Sequence, residues 1–433
     1  MKAVGSWSIR DSVGQALFLL LSDSEAWHHR KIESYRLLDG PRSRRQVSID
    51  LTVPNDERLL IRSDFADETN QILVPLALVK KATLQDFDAT AGTSPMLIAD
   101  TALNGAASLE LLRTSWSFDL GRSLTERENT FLDSVVFSSG DAERSMVDIF
   151  LDEWMHRDPE GAAALSDETR ALMGSLERCF LLIGLLPADH AGTHILVKYS
   201  EHWELVAAER TSGFTVWRWL LASTGWASVA LEIDLNDAGL RPNSYHVEVH
   251  APTGLLNEGL TVERLIEETD SSEGPLAEDS RHTSISHVAV RGIEVPQHAY
   301  VDLGVATHGL LARAAIAYGA SAGLFVASCF PAVAGAIFDP DARAATSLFL
   351  AVIAVLLGSL TREAENPISS RFLLPLRIAL IVLAALYFVV AAFVAVGSGF
   401  DLGVAALRGG LGLTGIGAVL VVGGYFECRR RQV

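Results

Sequence analysis

AAIAYGASAGLFVASCFPAVAGAIF, residues 314–338, carries no Asp, Glu, Lys, Arg or His, and neither do residues 344–361, 378–400 and 409–426. Crossing a hydrocarbon core of ~30 Å takes about 20 helical residues, with a range of roughly 17–25. A buried helix of a soluble protein keeps a polar stripe, and these four stretches have none. They predict four membrane spans, at about 314–338, 344–361, 378–400 and 403–426. The last extends back to 403 because Arg408, near an interface, can reach water with its long side chain.

The spans divide the chain. From residue 309 onward there are six acids and nine bases, all arginine; residues 1–308 hold 47 acids and 26 bases, a net charge of −21 in a chain of 433 residues with −18 overall. So acidic a soluble part repels phosphate backbones, which argues against nucleic-acid binding. Three widely spaced cysteines suggest neither a metal motif nor a disulfide framework, in keeping with a reducing compartment. Arg313, Arg362, Arg371, Arg377, Arg429, Arg430 and Arg431 fall on one side of the four spans, and Arg343 and Arg408 on the other. The positive-inside rule then places both termini, and the 308-residue soluble part with them, in the cytoplasm of a cell whose inner membrane holds the tail.

Residues 1–308 read as a β-rich, sandwich-like domain with a helical insertion at about 100–178, giving an α+β class overall. Val47, Ile49, Leu51 and Val53 alternate with polar residues, the period of a half-buried strand. Pro75 pushes the apolar run Ile72–Val79 toward an edge or a bulge. Ser123-Leu124-Thr125-Glu126 fits a capping box, Ser166 a further N-cap, and His28-His29 the end of a short helix. The acidic stretch 267–280 reads as a solvated loop.

Small residues recur every four positions at Ala315, Gly319, Gly323 and Ala327, and again at Gly410, Thr414 and Ala418. Such ridges let helices approach closely in lipid, within one chain or in a homo-oligomer. Gly410 to Gly415 spells GxGxxG, but it lies in a span without the strand–helix context of a dinucleotide site, so no cofactor is expected. Nine of the twelve histidines lie between 190 and 308. On a strand, His246, Glu248 and His250 share one face and are chemically suited to zinc, although this spacing also suits a plain solvent face. No nucleophile elbow, P-loop or HExxH motif occurs, so no catalytic residue is assigned.

RRQVSIDLTVP (44–54), ILVPLALVKKATLQDFD (72–88), RCFLLIGLL (178–186) and SYHVEVHAPTGL (244–255), ahead of a multi-span tail, resemble an uncharacterised family of bacterial multi-pass membrane proteins from GC-rich genomes. The resemblance implies a cytoplasmic β-rich domain on a membrane bundle, and no activity. Three functional expectations follow. The first is a membrane-tethered binding or sensory module that meets a protein or small ligand at the cytoplasmic face. The second is a pore-forming or ligand-gated effector. The third is a membrane-bound metalloenzyme built on His246, Glu248 and His250.

Overall fold

The computed structural model describes residues 11–37, 42–62, 70–81, 86–138, 145–204, 206–207, 216–235, 242–263, 277–279, 281–291, 298–337, 339–361, 367–396 and 400–432. It begins with helix α1 (Asp11–Ser22), then strands β1 (His28–Arg36), β2 (Arg42–Thr52), β3 (Leu60–Arg62), β4 (Asn70–Lys80), β5 (Asp88–Ala91), β6 (Ser94–Pro95) and β7 (Leu97–Ile98). A helical section follows: α2 (Thr101–Leu120), α3 (Glu126–Phe137), α4 (Met146–Arg157), α5 (Pro159–Ala164) and α6 (Asp167–Arg178). Strands resume with β8 (Cys179–Pro187), β9 (His194–Glu204) and β10 (Val206–Ala207), then α7 (Val216–Ser223). After it come β11 (Val229–Asp234), β12 (Ser244–His250), β13 (Leu255–Glu263), β14 (Ala277–Asp279), β15 (Ile285–Arg291) and β16 (His298–Val305). The tail is helical: α8 (Leu310–Ala327), α9 (Pro331–Ile337), α10 (Arg343–Leu360), α11 (Pro367–Phe372), α12 (Leu374–Val396) and α13 (Phe400–Arg431).

The strands form three sheets, ordered β15-β12-β1-β2-β9-β5-β6, β10-β11-β16-β13-β14 and β3-β4-β8-β7. β1 and β12 pair in parallel, and every other pairing of named strands is antiparallel. The seven-stranded sheet buries one face. Val47, Ile49, Val197 and Tyr199 from its β2–β9 half join a core with β4, β8 and helices α1 to α6. Tyr35, Val247 and Val249 from its β1–β12 half join a second core with the five-stranded sheet and the tail helices. β4 is buried over Ile72–Val79, on both faces, because it lies between the larger sheet and the helical layer. Pro75 is accommodated there by a register shift between Pro75 and Ala77, a bulge rather than an edge, since β4 has neighbours on both sides.

The helical section differs from expectation in its details. The capping box is formed by Thr125 and Glu128, two residues later than Ser123: Thr125 N donates to Glu128 Oε2 at 2.6 Å and Glu128 N to Thr125 Oγ1 at 3.3 Å. The sequence fits the motif in both registers, and the helix takes the one that lets Arg122 pair with Glu128 at 2.7 Å. His28 opens β1 instead of closing a helix. The acidic stretch 267–280 lies outside the described residues except for 277–279, which are β14.

In the tail, three helices among the described residues, not four, are long and apolar enough to cross a membrane: Leu310–Ala327, Arg343–Leu360 and Leu374–Val396. The first is shorter than the expected 314–338, because the chain turns at Ser328–Phe330 and Pro331 starts a separate helix. The expected fourth span falls within the 32-residue α13, which runs antiparallel to α8. A Cβ at Gly410 would meet Phe325, one at Gly417 would meet Tyr318, and one at Gly424 would meet the carbonyl of Thr224, just before the sheets. The glycines of α13 where a Cβ would be crowded are thus Gly410, Gly417, Gly423 and Gly424. Thr414 is buried with its Oγ1 donating to Gly410 O at 2.8 Å, and Ala418 is half-buried. On α8, Ala315 is buried, but Gly319 and Gly323 face outward and a Cβ at Gly323 would touch nothing.

Candidate functional site

Strand alternation sends neighbouring side chains of β1, β2, β9 and β12 to opposite faces of the seven-stranded sheet. On the closed face lie Lys31, Glu33 and Tyr35 from β1, Arg45 from β2 and Glu201 from β9. Tyr35 stands opposite Arg45, and Arg45 opposite Glu201. Lys31 Nζ is 2.8 Å from Glu33 Oε1, Arg45 Nε donates to Glu33 Oε2 at 2.9 Å, and Arg45 Nη1 donates to Glu201 Oε1 at 3.0 Å. Tyr35 donates its hydroxyl to Glu33 Oε2 at 2.6 Å, and Lys31 Nζ sits 5.5 Å from the centroid of the Tyr245 ring. Two positive and two negative charges form a neutral chain where the two cores meet.

Burial alone would raise the Glu33 carboxyl, but the charges of Arg45 and Lys31 outweigh it and hold the group well below the carboxylate range. Burial also brings Lys31 down to about 8, partly offset by Glu33. His28, buried beside this chain, falls to about 3, through burial first and the Lys31 charge second. An enclosed, charge-balanced group of this kind holds a structure in register and leaves no room for a ligand.

The opposite face is open. Residues paired across strands share a face, so His250, Arg36, Arg44 and His202 form one row across β12, β1, β2 and β9. Beside the row is a cavity of about 260 Å³ lined by Arg36, Arg44, Gln46, Asp88, Thr90, Lys198, Tyr199 and Ser200. Arg44 Nη2 donates to Ser200 Oγ at 2.8 Å, while among the described residues Arg36 and Lys198 have no ion-pair partner. Burial and the neighbouring Arg36 charge lower His250 from its ordinary value, against a raising contribution from Glu248, 4.0 Å away. At the ends of the row, His202 Nδ1 is 3.0 Å from Asp86, and His250 abuts the turn that touches the tail helices.

That turn fixes where the row sits. Ser369 Oγ of α11 donates to Thr253 O at 2.7 Å, three residues beyond His250. The last residues of α13 return to the same level: Cys428 Sγ is 3.1 Å from Val305 O, Thr307 Oγ1 donates to Gln432 Oε1 at 2.7 Å, and Arg431 pairs with Glu258 at 3.0 Å and donates to Gly225 O. Arg313, Arg371, Arg377, Arg429, Arg430 and Arg431 all lie at this sheet-facing end of the helices; Arg362 lies outside the described residues.

His246, Glu248 and His250 share the open face, as their alternation requires. The structure nevertheless brings His246 to Ser244 (2.8 Å) and to His287 of β15 (2.9 Å), not to His250. Four residues along a strand span about 13 Å, too far for two imidazoles on one ion. Among the described residues no group of three His, Cys, Asp or Glu side chains is placed to hold a metal. Trp217 and Trp226 are exposed, and Trp226 Nε1 donates to Leu420 O of α13 at 2.7 Å. The arginine row escaped sequence reading because its members come from strands paired at a distance; Arg36 and Arg44 are joined only by the register of β1 and β2. No family model matches the chain, and no curated protein or solved structure matches it either.

Proposed function

We propose that the chain is a membrane-anchored binding module, with the open face of its seven-stranded sheet as the recognition surface and the helical tail as anchor. One observation carries this reading: the β12–β13 turn, strand β13 and the segment before β11 each hold a tail helix, through Thr253–Ser369, Glu258–Arg431 and Trp226–Leu420, so the sheets are clamped to the bundle. A ligand on the sheet is thereby coupled to the anchor through short, rigid contacts.

The anchor reading includes α13. It lies along α8 for the length of that helix, and Leu413, Ile416 and Val419 are 60%, 65% and 70% exposed, as apolar and open as Leu348, Val355 and Ile381 of the other helices. With α8 crossing, α13 crosses back beside it, and the exposed Trp217 and Trp226 fall at the interface level favoured by tryptophan. The arginine-rich end then faces the cytoplasm together with the sheets.

The reading is tested on the full chain in nanodiscs, by a thermal-shift screen of metabolite anions, nucleotides and short peptides. A binding module predicts that at least one class raises the unfolding temperature by several degrees. A screen without any shift, combined with ion conductance in planar bilayers, would replace it with a pore.

A further inference from the structure

Resting on that reading, we propose that the cavity beside Arg36 and Arg44 is a phosphate site, taking a phosphate group from a soluble phosphomonoester or from an anionic lipid headgroup. Arg36 and Arg44 stand directly opposite each other on adjacent antiparallel strands. Like charges in that position repel unless something of opposite sign lies between them. Lys198, from β9, adds a third cation to the same cavity, and Asp88 is the acid among its lining residues. Within a soluble part that carries a net charge of −21, this is a local field of the other sign.

The surrounding groups suit phosphate. Two guanidinium groups offer paired N–H donors with the geometry of phosphate oxygens, and the Ser200 and Thr90 hydroxyls and the Gln46 amide supply further donors. The volume of about 260 Å³ lies below the roughly 300–1,000 Å³ of pockets that enclose whole drug-sized ligands, so the site holds a charged head and leaves the rest of the molecule outside. Its position admits both sources of the phosphate. The row ends at His250, three residues or about 10 Å of strand from the Thr253 contact with α11, so it lies at the end of the sheet nearest the bundle.

The test uses the full chain in nanodiscs of zwitterionic lipid, with pyrophosphate as probe in titration calorimetry, and in parallel the same chain in mixed nanodiscs containing phosphatidic acid, with co-purified lipid quantified by mass spectrometry. Arg36→Ala, Arg44→Ala and Lys198→Ala are compared with Arg30→Ala, a cation on the same face at the far end of β1. Saturable pyrophosphate binding, weakened at least tenfold by the three site variants and unchanged by R30A, supports the site with a soluble source. No pyrophosphate binding, but phosphatidic acid enrichment lost in the same three variants, supports it with a lipid source. Absence of both, or binding that the site variants leave unchanged, overturns the phosphate site. If a peptide or another metabolite from the wider screen still binds in that case, the binding-module reading stands without it.

Discussion

On one face of the seven-stranded sheet, Lys31, Glu33, Arg45 and Glu201 lie sealed between two cores with each charge against an opposite one. On the other, Arg36, Arg44 and Lys198 surround an open cavity in which Asp88 is the acid. The residue types are nearly the same, and the cations and acids of both groups come from β1, β2 and β9 apart from Asp88 of β5. What differs is the solvent. In the closed layer an unanswered charge is costly, so the chain balances its charges; in water the cost vanishes and an excess of one sign can persist. The phosphate site proposed above rests on that excess.

The sharpest way to break this contrast is Glu33→Ala. Removing the carboxylate leaves Lys31 and Arg45 buried without it, and the unfolding free energy of the full chain in detergent should fall by about 3–5 kcal/mol in denaturant titration. A loss below about 1 kcal/mol, the median for exposed pairs, would show that the closed face is wetter than its geometry indicates. The distinction between closed and open surfaces recurs in the bundle. A Cβ at Gly424 collides with the Thr224 carbonyl, whereas one at Gly319 comes only to 3.9 Å from Val422. Gly424→Ala should therefore cost about 1–3 kcal/mol and Gly319→Ala almost nothing, measured as thermal unfolding of the detergent-solubilised protein.

A third effect follows from His28. Its folded value is about 3 against 6.5 when free, so the unfolded chain binds the extra proton between these values. Stability contributed by the neutral imidazole is whole above pH 6.5 and is lost as pH falls toward 3, about 2 kcal/mol of it by pH 5. His28→Phe should flatten the stability curve between pH 6.5 and 5; an unchanged slope would assign that pH dependence to other groups. The smallest effect belongs to the open face. Arg44→Ala should shift stability by no more than about 1 kcal/mol in the same titration, since it breaks one part-buried hydrogen bond, to Ser200 Oγ.

Three apolar helices of the tail were legible because a long absence of charge is visible without neighbours; the turn at Ser328–Phe330 that shortens the first, and the fourth stretch lying inside the longer α13, were not. The strands built on alternation were legible for the same kind of local reason. β1 was harder. In HHRKIESYR polar residues fall on both faces, and nothing local says that Lys31 and Glu33 are enclosed while Arg30 is exposed. That is decided by Arg45 and Glu201, the latter more than 160 residues away. β13 escaped because Asn257, Glu258 and Gly259 interrupt its apolar pattern, and the structure places a register shift there. His246, Glu248 and His250 were placed on one face correctly, but the distance along a strand and the partner His287 from β15 are tertiary facts. The arginine row is tertiary altogether.

A sheet clamped to a membrane anchor places its Arg36 end at the membrane surface. Single fluorophores attached through Arg36→Cys and Arg30→Cys, in a chain freed of its exposed Cys329, sit on the same face of the same strand, about 20 Å apart. In nanodiscs carrying headgroup-attached nitroxide lipid, quenching should be clearly stronger at position 36 than at position 30. Equal quenching at both positions, or stronger quenching at 30, would contradict it.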